Sequence, residues 1–250
     1  MDDAPFAGKT AIVTGGAKRI GRIIALRLGT LGCNVAVHYK DSEEQAAGVV
    51  SHLKAKGVKA TAIQADLAHP EQCLELVAAA RRRLGGVDFL VNNASTYPEV
   101  RLADLAWKDL AATLKVDAWA PVELMRAVHQ QLKKRGGATV NLLDARIADH
   151  DLGHAGYYLA KRMLADLTRM AAIELAPQMR VSAVAPGPIL PPPGGDALDL
   201  ERWAKHLPLR RTPASDDVAD AVLYLLGAHG VTGEIIHVDG GRHLGRAVYG

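Results

Sequence analysis

The chain has 250 residues, with 30 Lys and Arg against 27 Asp and Glu, which gives a formal net charge of +3 at pH 7. The apolar fraction of 49% is ordinary for a globular protein, and the length suits one α/β domain with a sizeable core. Because the charges are scattered and no apolar run approaches a bilayer span, we predict neither a nucleic-acid nor a membrane partner.

Apolar periodicity predicts strands that alternate with helices along most of the chain. The predicted strands are Thr10–Thr14, Asn34–Tyr39, Ala60–Ala65, Val87–Asn92, Ala138–Leu143, Arg180–Ala185 and Glu234–Val238. The predicted helices are Ile20–Leu31, Glu43–Lys56, Pro70–Leu84, Asp109–Arg135, Tyr157–Leu175 and Ser215–Gly227. This alternation indicates an α/β fold, a doubly wound parallel sheet of the Rossmann type, in a single domain over residues 1–250.

Ligands on such sheets bind beyond the carboxyl ends of the strands. Several polar or glycine positions fall at predicted strand ends and should therefore surround one crevice: Gly15, Asp66, Asn92, Asp144 and Pro186.

A glycine-containing turn joins the first strand to the first helix. The segment from Thr14 to Gly21 has the spacing Thr-Gly-x-x-x-Arg-x-Gly, which differs from the G-x-G-x-x-G pattern. A strand that turns through glycines into a helix presents free N–H groups and a positive dipole end to a pyrophosphate. The alternative is a glycine-rich turn that binds nothing.

The end of the second strand bears on which nicotinamide cofactor fits. An acidic side chain there would bind the 2′-hydroxyl of NAD and repel a 2′-phosphate. Here Lys18, Arg19 and Lys40 could neutralise a phosphate, and Ser42 could donate to it. Asp41 argues the other way but lies past the usual position, so the charge count favours NADPH. The alternative is that Lys18 and Lys40 are solvated surface lysines.

Tyr157 and Lys161 are four residues apart and therefore share one face of the predicted helix. A nearby ammonium favours phenolate, so we expect Lys161 to lower the pKa of Tyr157 and make it a usable acid at neutral pH. Asp144 precedes Tyr157 by thirteen residues and follows a predicted strand, from which it could face the same pocket.

Four motifs occur together in the order and spacing of short-chain dehydrogenases/reductases, which the chain resembles from Gly8 to Gly241. They are Thr14-Gly15-x-x-x-Arg19-x-Gly21, Asn92-Asn93-Ala94-Ser95, Tyr157-x-x-x-Lys161 and Pro186-Gly187. Within this family the chain is most similar to pteridine reductases. The features behind this likeness are Arg19 in place of the usual glycine, the pair His38-Tyr39, the aromatic Tyr97, and Asp144 in place of the usual serine. The chain departs from the family at Asp117, where Asn is usual.

The resemblance implies roles for particular residues. The implied catalytic residues are Asp144, Tyr157, Lys161 and Asp117. The implied cofactor-binding residues are Gly15, Lys18, Arg19, Ile20, Gly21, His38, Tyr39, Lys40, Ser42, Asp66, Leu67, Asn92, Asn93, Ala94, Lys161, Pro186, Gly187 and Ile189. The implied substrate-binding residues are Arg19, Ser95, Tyr97, Asp144, Tyr157, Pro188 and Leu190. It also implies a loop at about 188–207 that covers the substrate, and a homotetramer with helices Asp109–Arg135 and Tyr157–Leu175 at one interface.

The carboxyl group at position 144 bears on the substrate. An ionised Asp144 only accepts hydrogen bonds and would repel the alkoxide of a reduced ketone. It could accept from N–H groups of a heterocycle, or deliver a proton to a ring nitrogen if its pKa is raised. Tyr97 and the nicotinamide would sandwich a flat ring. We therefore predict an NADPH-dependent reductase of dihydropterin- or dihydrofolate-type substrates.

Alternatives to this prediction remain open. On the same fold the chain could be a 3-oxoacyl or other carbonyl reductase, and in a different class it could be a non-catalytic NADPH-binding regulatory protein. Tyr97 could be a loop tyrosine that packs locally. Asp149, Asp151 and the two histidines His150 and His154 suggest metal ligands, but no further cluster completes a site, so a polar loop without metal is preferred.

Cys33 and Cys73 form no close-spaced metal or redox motif, and we expect both to fill the core in a reducing compartment such as the cytoplasm. The short acidic N-terminal segment does not resemble a signal peptide. Trp107, Trp119 and Trp203 are expected in the core, an interface or the substrate-covering loop.

Overall fold

A computed structural model describes residues 5–132, 136–190 and 197–245. In these ranges seven strands form one parallel sheet: β1 Thr10–Val13, β2 Asn34–Tyr39, β3 Ala60–Gln64, β4 Phe89–Asn92, β5 Gly137–Leu142, β6 Met179–Pro186 and β7 Ile235–Val238. The same ranges contain eight α-helices: α1 Arg19–Thr30, α2 Glu43–Ala55, α3 Pro70–Leu84, α4 Trp107–Leu114, α5 Ala120–Leu132, α6 Ala155–Glu174, α7 Ala197–Ala204 and α8 Ser215–Gly227.

The strand order is β3-β2-β1-β4-β5-β6-β7. Strands β2 and β3 are added on one side of β1 and strands β4 to β7 on the other, so the strand order reverses between β1 and β4. Val13 near the end of β1 pairs with Val37 of β2 on one side and Val91 of β4 on the other. A ligand crevice opens at such a reversal point, outside the carboxyl ends of the strands. The predicted Rossmann-type fold is confirmed.

Both faces of the sheet are covered, because its central strands are apolar on both sides and parallel sheets bury both faces. Ile24 and Leu28 of α1 are fully buried against one face, where α2 and α8 also pack. Leu124 and Met125 of α5 are buried against the opposite face, beside α3. These two apolar layers hold the strand ends, and therefore the crevice, in place.

The predicted helix Asp109–Arg135 is interrupted. In the structure, α4 begins at Trp107 and is followed by one wider, π-helical turn, Lys115–Trp119, which leads into α5. In this turn the N–H of Ala120 donates to the carbonyl of Lys115, five residues back. Pro121, the next residue, has no N–H to donate to the carbonyl of Asp117 four residues earlier, which disfavours a regular α-helix at this point. Residues 133–135, where the predicted helix ended, lie outside the described ranges.

The predicted substrate-covering loop at 188–207 contains a helix, α7, that periodicity did not indicate. Residues 191–196 of that segment lie outside the described ranges. In the described part of the chain, none of the helices has both the length and the apolar character needed to cross a membrane.

Candidate active site

The turn after β1 is built around glycines that no other residue could replace without movement. Gly15 has a φ of 60°, and an added Cβ would lie 3.1 Å from the Cα of Ala94. A Cβ at Gly21 would lie 2.4 Å from both the carbonyl oxygen of Gly15 and Nδ2 of Asn93. The glycines therefore allow the turn to pack closely against the loop after β4, which sets the N-terminus of α1, the usual place for a pyrophosphate in such folds, at the crevice.

Side chains at the end of β1 tie this turn to the end of β4. Oγ1 of Thr14 accepts from the backbone N–H groups of Asn93 (2.8 Å) and Ala94 (2.9 Å). Nδ2 of Asn93 donates to the carbonyl of Thr14 at 2.8 Å. Across the crevice, an added Cβ at Gly187 would lie 2.7 Å from the Cα of Asp239, so that backbone is equally close-packed. The crevice walls are thus fixed by short contacts.

His38, predicted as a cofactor contact, lies beneath the glycine turn with 2% of its surface exposed. Its Nδ1 accepts from the N–H of Gly15 at 3.0 Å, and its Nε2 lies 3.0 Å from the carbonyl of Ala65. Because both ring nitrogens are engaged, the side chain of His38 supports the turn, and the predicted contact of this residue with the cofactor stays a prediction. Burial lowers the pKa of His38 to about 4.

This arrangement predicts an acid-sensitive fold. His38 must stay neutral to accept from Gly15, so its stabilisation is complete above its ordinary pKa of 6.5 and is lost as the pH falls toward about 4. We expect His38→Leu to lower the free energy of unfolding at pH 7 by about 2 kcal/mol and to flatten its pH dependence between 6.5 and 4. Urea unfolding across that range measures both effects. Exposed His52 provides the control, His52→Leu; an unchanged pH slope in His38→Leu would exclude His38 as the cause.

The cations predicted to bind a 2′-phosphate lie at the mouth of the crevice. Lys18 and Arg19 are exposed at the start of α1, where Arg19 has a φ of 51°. Lys40, just after β2, is not free as expected: its Nζ lies 2.8 Å from Oδ2 of Asp66. The bond from Lys40 and the N–H of Ala68 lower the pKa of Asp66. Lys40 thus meets a carboxylate in this structure, while Lys18 and Arg19 flank the turn.

Other predicted cofactor residues differ in how accessible their side chains are. Asn92 is buried, and its Nδ2 donates to Oδ1 of Asn141 at 2.8 Å, so its side chain faces the sheet rather than the crevice. Tyr39, Leu67 and Ile189 are also buried. The following predicted residues are partly exposed along the crevice: Gly15, Ile20, Ser42, Asn93, Ala94, Gly187, Pro188 and Leu190. Pro186 ends β6 and is buried.

Tyr157 and Asp144 meet as predicted. Tyr157 lies on the first turn of α6, two residues after the helix begins, and its hydroxyl donates to Oδ2 of Asp144 at 3.0 Å. The other carboxylate oxygen of Asp144 accepts from the backbone N–H of Arg146 at 2.8 Å, which caps a short 3₁₀ turn. One oxygen of the Asp144 carboxylate therefore holds the backbone of the following turn, and the other accepts from the phenol of Tyr157.

Lys161 lies one turn further along α6 and is 3% exposed. Its Nζ donates to the carbonyl of Leu142 at 2.9 Å, lies 3.8 Å from Oδ1 of Asp117, and is 5.6 Å from the centre of the Tyr157 ring. The expectation that this ammonium lowers the pKa of Tyr157 is wrong for this structure. Burial and the carboxylate of Asp144 raise that pKa, so the phenol keeps its proton.

Asp117 is fully buried in the π turn. Its carboxylate accepts from the hydroxyls of Ser95 and Thr96 and from the N–H of Thr96, at 3.0 and 3.1 Å. The carboxylate raises the pKa of Lys161 against the larger lowering effect of burial. Asp117 therefore ties the loop after β4 to Lys161. The hydroxyl of Ser95, predicted to bind substrate, is engaged with Asp117.

Tyr97 follows in the same loop and is 41% exposed. Its ring meets the ring of Tyr157 edge-on, with centroids 4.7 Å apart. On one face it is stacked by His154 at 3.8 Å, and its hydroxyl accepts from Arg146 at 2.8 Å. The sequence reasoning did not single out Arg146, whose position two residues after Asp144 was the available signal.

The loop that carries Asp149, Asp151 and the two histidines forms a polar network in the structure. Asp151 interacts with Arg146 and His154 rather than joining a set of converging ligands. Within the described ranges no three His, Cys, Asp or Glu side chains are placed to hold a metal ion.

Comparison with known proteins identifies the family to which the chain belongs. A family model described as enoyl-(acyl carrier protein) reductase matches residues 15–243. The 3-oxoacyl-[acyl-carrier-protein] reductase FabG of Staphylococcus epidermidis is 36% identical over 244 residues, an alignment that covers 94% of this chain and 99% of that protein. The chain belongs to the short-chain dehydrogenase/reductase family. The corresponding FabG of Staphylococcus aureus is 37% identical over 248 residues and is covered to 98%.

Solved structures of this short-chain dehydrogenase/reductase fold are also similar. FolM alternative dihydrofolate reductase 1 from Brucella canis, complexed with NADP, has a TM-score of 0.92 and 34% identity, with 97% of this chain and 96% of that chain covered. A blue fluorescent protein from a metagenomic library, in complex with NADPH, has a TM-score of 0.86 and 33% identity, with 94% and 98% covered. The family and its fold are therefore established, and the two groups of relatives carry different substrate names.

Proposed function

We propose that this protein is an NADPH-dependent reductase that converts a dihydropterin- or dihydrofolate-type substrate to its tetrahydro form. The observation that carries the proposal is the carboxylate of Asp144, which accepts from the acid Tyr157 at 3.0 Å. A carboxylate accepts hydrogen bonds from a heterocycle but repels a developing alkoxide. The Brucella relative named as an alternative dihydrofolate reductase supports the same substrate class.

The residues around the glycine turn fit a dinucleotide. The backbone N–H groups of the turn after Gly15 and of the start of α1 would hold the pyrophosphate. Lys18 and Arg19 would neutralise a 2′-phosphate, and Asp66 would lie near the adenine. When bound, the cofactor supplies the hydride for the reduction. The solved relatives that contain NADP or NADPH agree with this choice of cofactor.

The chain's own residues supply and direct the proton. Reduction of a C=N bond adds a hydride to carbon and a proton to nitrogen. Tyr157 holds that proton on its hydroxyl, because burial and Asp144 keep the phenol neutral by raising its pKa. Asp144 accepts from Tyr157 and faces the same site, so the pair holds a proton between phenol and carboxylate for transfer to ring nitrogen. Lys161 is held beside them by Leu142 and Asp117.

Cofactor choice can be measured directly. Wild-type enzyme should have a higher kcat/KM with NADPH than with NADH, and Lys18→Ala with Arg19→Ala should reduce that preference by roughly 10- to 100-fold, the scale of one or two charge-assisted hydrogen bonds. The preference should also depend less on salt in the double variant. Lys54→Ala, at an exposed lysine on α2, is the control. A wild-type preference for NADH would contradict the assignment.

A second candidate is a 3-oxoacyl or other carbonyl reductase of the same family. The specific observation in its favour is the 36–37% identity with the staphylococcal enzymes across nearly the whole chain. Against it stands Asp144, which cannot donate to a ketone oxygen while ionised. A non-catalytic NADPH-binding regulator is a third candidate, and the joined Tyr157, Asp144 and Lys161 argue against it.

We place the enzyme in the cytoplasm as a homotetramer. The described residues of α6 include a row of exposed apolar side chains, Leu159, Met163, Met170 and Ile173. Trp107 and Trp119 are 74% and 39% exposed rather than buried in the core, and they line a groove of about 810 Å³. Apolar surface of this extent is typical of an interface, and the two helical regions are those that the family resemblance implies. Cys33 and Cys73 are buried and free, as a reducing compartment allows.

The proposal is tested by a substrate screen that follows NADPH absorbance with dihydrobiopterin, dihydrofolate and acetoacetyl thioesters. We expect NADPH oxidation with the pterins and recovery of the tetrahydro product. Turnover of the thioesters without turnover of the pterins would select the carbonyl reductase. Tight NADPH binding with no turnover on any of them would select the regulator.

A further inference from the structure

Tyr97 is held from two directions by side chains of the loop that follows β5. The guanidinium of Arg146 donates to the Tyr97 hydroxyl at 2.8 Å. The imidazole of His154 lies over one face of the Tyr97 ring, with centroids 3.8 Å apart and planes 15° from parallel. The backbone adds a third tie, because the N–H of Ala155 donates to the carbonyl of Val100 at 3.0 Å. This tyrosine is therefore fixed at its hydroxyl and on one face.

A single carboxylate positions both of these side chains. Asp151, whose side chain is 7% exposed, accepts from the guanidinium of Arg146 and lies 3.2 Å from Nδ1 of His154. Its Oδ1 also accepts from the backbone N–H groups of Gly153 (3.0 Å) and His154 (3.2 Å). Because Asp151 neutralises Arg146 locally, the cluster is not arranged as a receptor for an anionic group. Its contacts point instead toward the Tyr97 ring.

Arg146 also connects this cluster to the chemistry. Its backbone N–H donates to Oδ1 of Asp144 at 2.8 Å, and the other oxygen of Asp144 accepts from Tyr157. Arg146 therefore connects the carboxylate of Asp144, through its backbone, with the ring of Tyr97, through its side chain. The ring of Tyr97 is perpendicular to that of Tyr157, with centroids 4.7 Å apart, and 41% of the surface of Tyr97 stays exposed for a ligand.

We propose that Arg146, Asp151 and His154, here called the brace, are positioning residues that fix Tyr97 as a rigid aromatic wall at a set distance from Asp144 and Tyr157. The wall selects flat heteroaromatic substrates, because a planar ring can stack on it while its N–H groups reach Asp144. This inference rests on the proposed reduction of pterins and assigns the substrate selection within that site. The brace acts through Tyr97, and none of its side chains transfers a proton.

Steady-state kinetics separate positioning from general damage. Arg146→Met and His154→Ala should each raise KM for dihydrobiopterin by about tenfold, the scale of a lost stacking arrangement, with kcat changed less than about threefold. His154→Phe, which can still stack, should restore KM. Any KM for an acetoacetyl thioester, which has no flat ring, should not change. Arg82→Met, at an exposed ion pair on α3, is the matched control.

A double variant tests the route through Tyr97. If Arg146 acts through the Tyr97 hydroxyl, Arg146→Met should add little to KM in a Tyr97→Phe background. The proposal would be overturned if the increases in KM from the two single variants multiplied in the double variant. It would also be overturned if the KM of His154→Phe were as high as that of His154→Ala. Both His154 variants remain informative if Arg146→Met does not fold.

An independent readout needs no turnover. In protein labelled with 3-fluorotyrosine, the ¹⁹F resonance lost in Tyr97→Phe identifies Tyr97, and His154→Ala and Arg146→Met should shift it while Arg82→Met should not. An unshifted Tyr97 resonance in both variants would overturn the brace. If wild-type enzyme reduces no dihydropterin, the proposed function fails, and this resonance alone decides whether the brace positions Tyr97.

Discussion

Tyr157→Phe is expected to lower kcat for dihydropterin by about 10²-fold or more, because it removes the proton donor and leaves the ring in place. NADPH affinity should change little, since the hydroxyl is bonded to Asp144 and not to the glycine turn. Single-turnover rates at saturating NADPH, with affinity measured by fluorescence titration, give both quantities.

The neighbouring residue supplies the control for that experiment. The hydroxyl of Tyr158 accepts from the guanidinium of Arg162, whereas the hydroxyl of Tyr157 donates to Asp144. Tyr158→Phe should therefore retain near-normal turnover. Near-normal turnover in Tyr157→Phe as well would remove Tyr157 from the chemistry.

The same proton should set the pH profile. Burial and Asp144 raise the pKa of Tyr157, so the phenol stays protonated through neutral pH. The rate should hold near neutrality and fall only as the pH rises through the raised pKa of Tyr157, a profile that kcat measured against pH will show.

Asp144→Ser is expected to lower kcat/KM for dihydropterin by about 10²-fold, because a serine hydroxyl cannot take up or pass on the proton as a carboxylate can. NADPH affinity should stay unchanged, and any activity on β-keto substrates should stay equal or rise. Asp220→Ser, at an exposed carboxylate on α8 that pairs with Arg27, is the control. Dihydropterin activity that survives Asp144→Ser intact would make the carboxylate incidental and favour the carbonyl reductase.

The sheet could be predicted from the sequence because each strand is a short apolar run that ends in glycine or a polar residue. Each of the seven predicted strands overlaps the observed strand, with ends that differ by up to two residues. Parallel strands bring their carboxyl ends to one edge, so Gly15 and Asp144 could be assigned to one crevice from their positions at strand ends. The π turn before α5 was missed because apolar periodicity does not register one added residue in a turn.

Pairing between charged side chains was harder to predict. Lys40 and Asp66 follow strands β2 and β3, and they meet only because Tyr39 is in register with Gln64. A sequence lists both charges but not the register that brings them within 2.8 Å. Lys40 was therefore counted as free for a phosphate.

The surroundings of Tyr157 and Lys161 explain why the direction of the Tyr157 pKa shift was predicted wrongly. From spacing alone, Lys161 on the same helix face as Tyr157 suggested a lowered pKa for the phenol. In the fold, the ammonium is directed at Leu142 and Asp117, while the carboxylate of Asp144 receives the phenol. Burial and tertiary contacts, which no spacing reveals, reversed the direction of the shift.

The His154 region illustrates the same limit. Acidic and histidine side chains at close spacing suggested metal ligands, because the sequence does not say which way each one points. The loop folds so that Asp151 meets Arg146, and His154 stacks on Tyr97 from a distant part of the chain. The contacts of these side chains are therefore with Arg146 and Tyr97, a pairing that the sequence alone does not reveal.

The most direct test of the account is the ratio of kcat/KM for dihydrobiopterin to kcat/KM for an acetoacetyl thioester, measured with wild-type enzyme at saturating NADPH. Since Asp144 accepts from ring N–H groups and disfavours an alkoxide, we predict a ratio well above one, with tetrahydrobiopterin as the product. A ratio below one would contradict the account and assign the enzyme to carbonyl reduction.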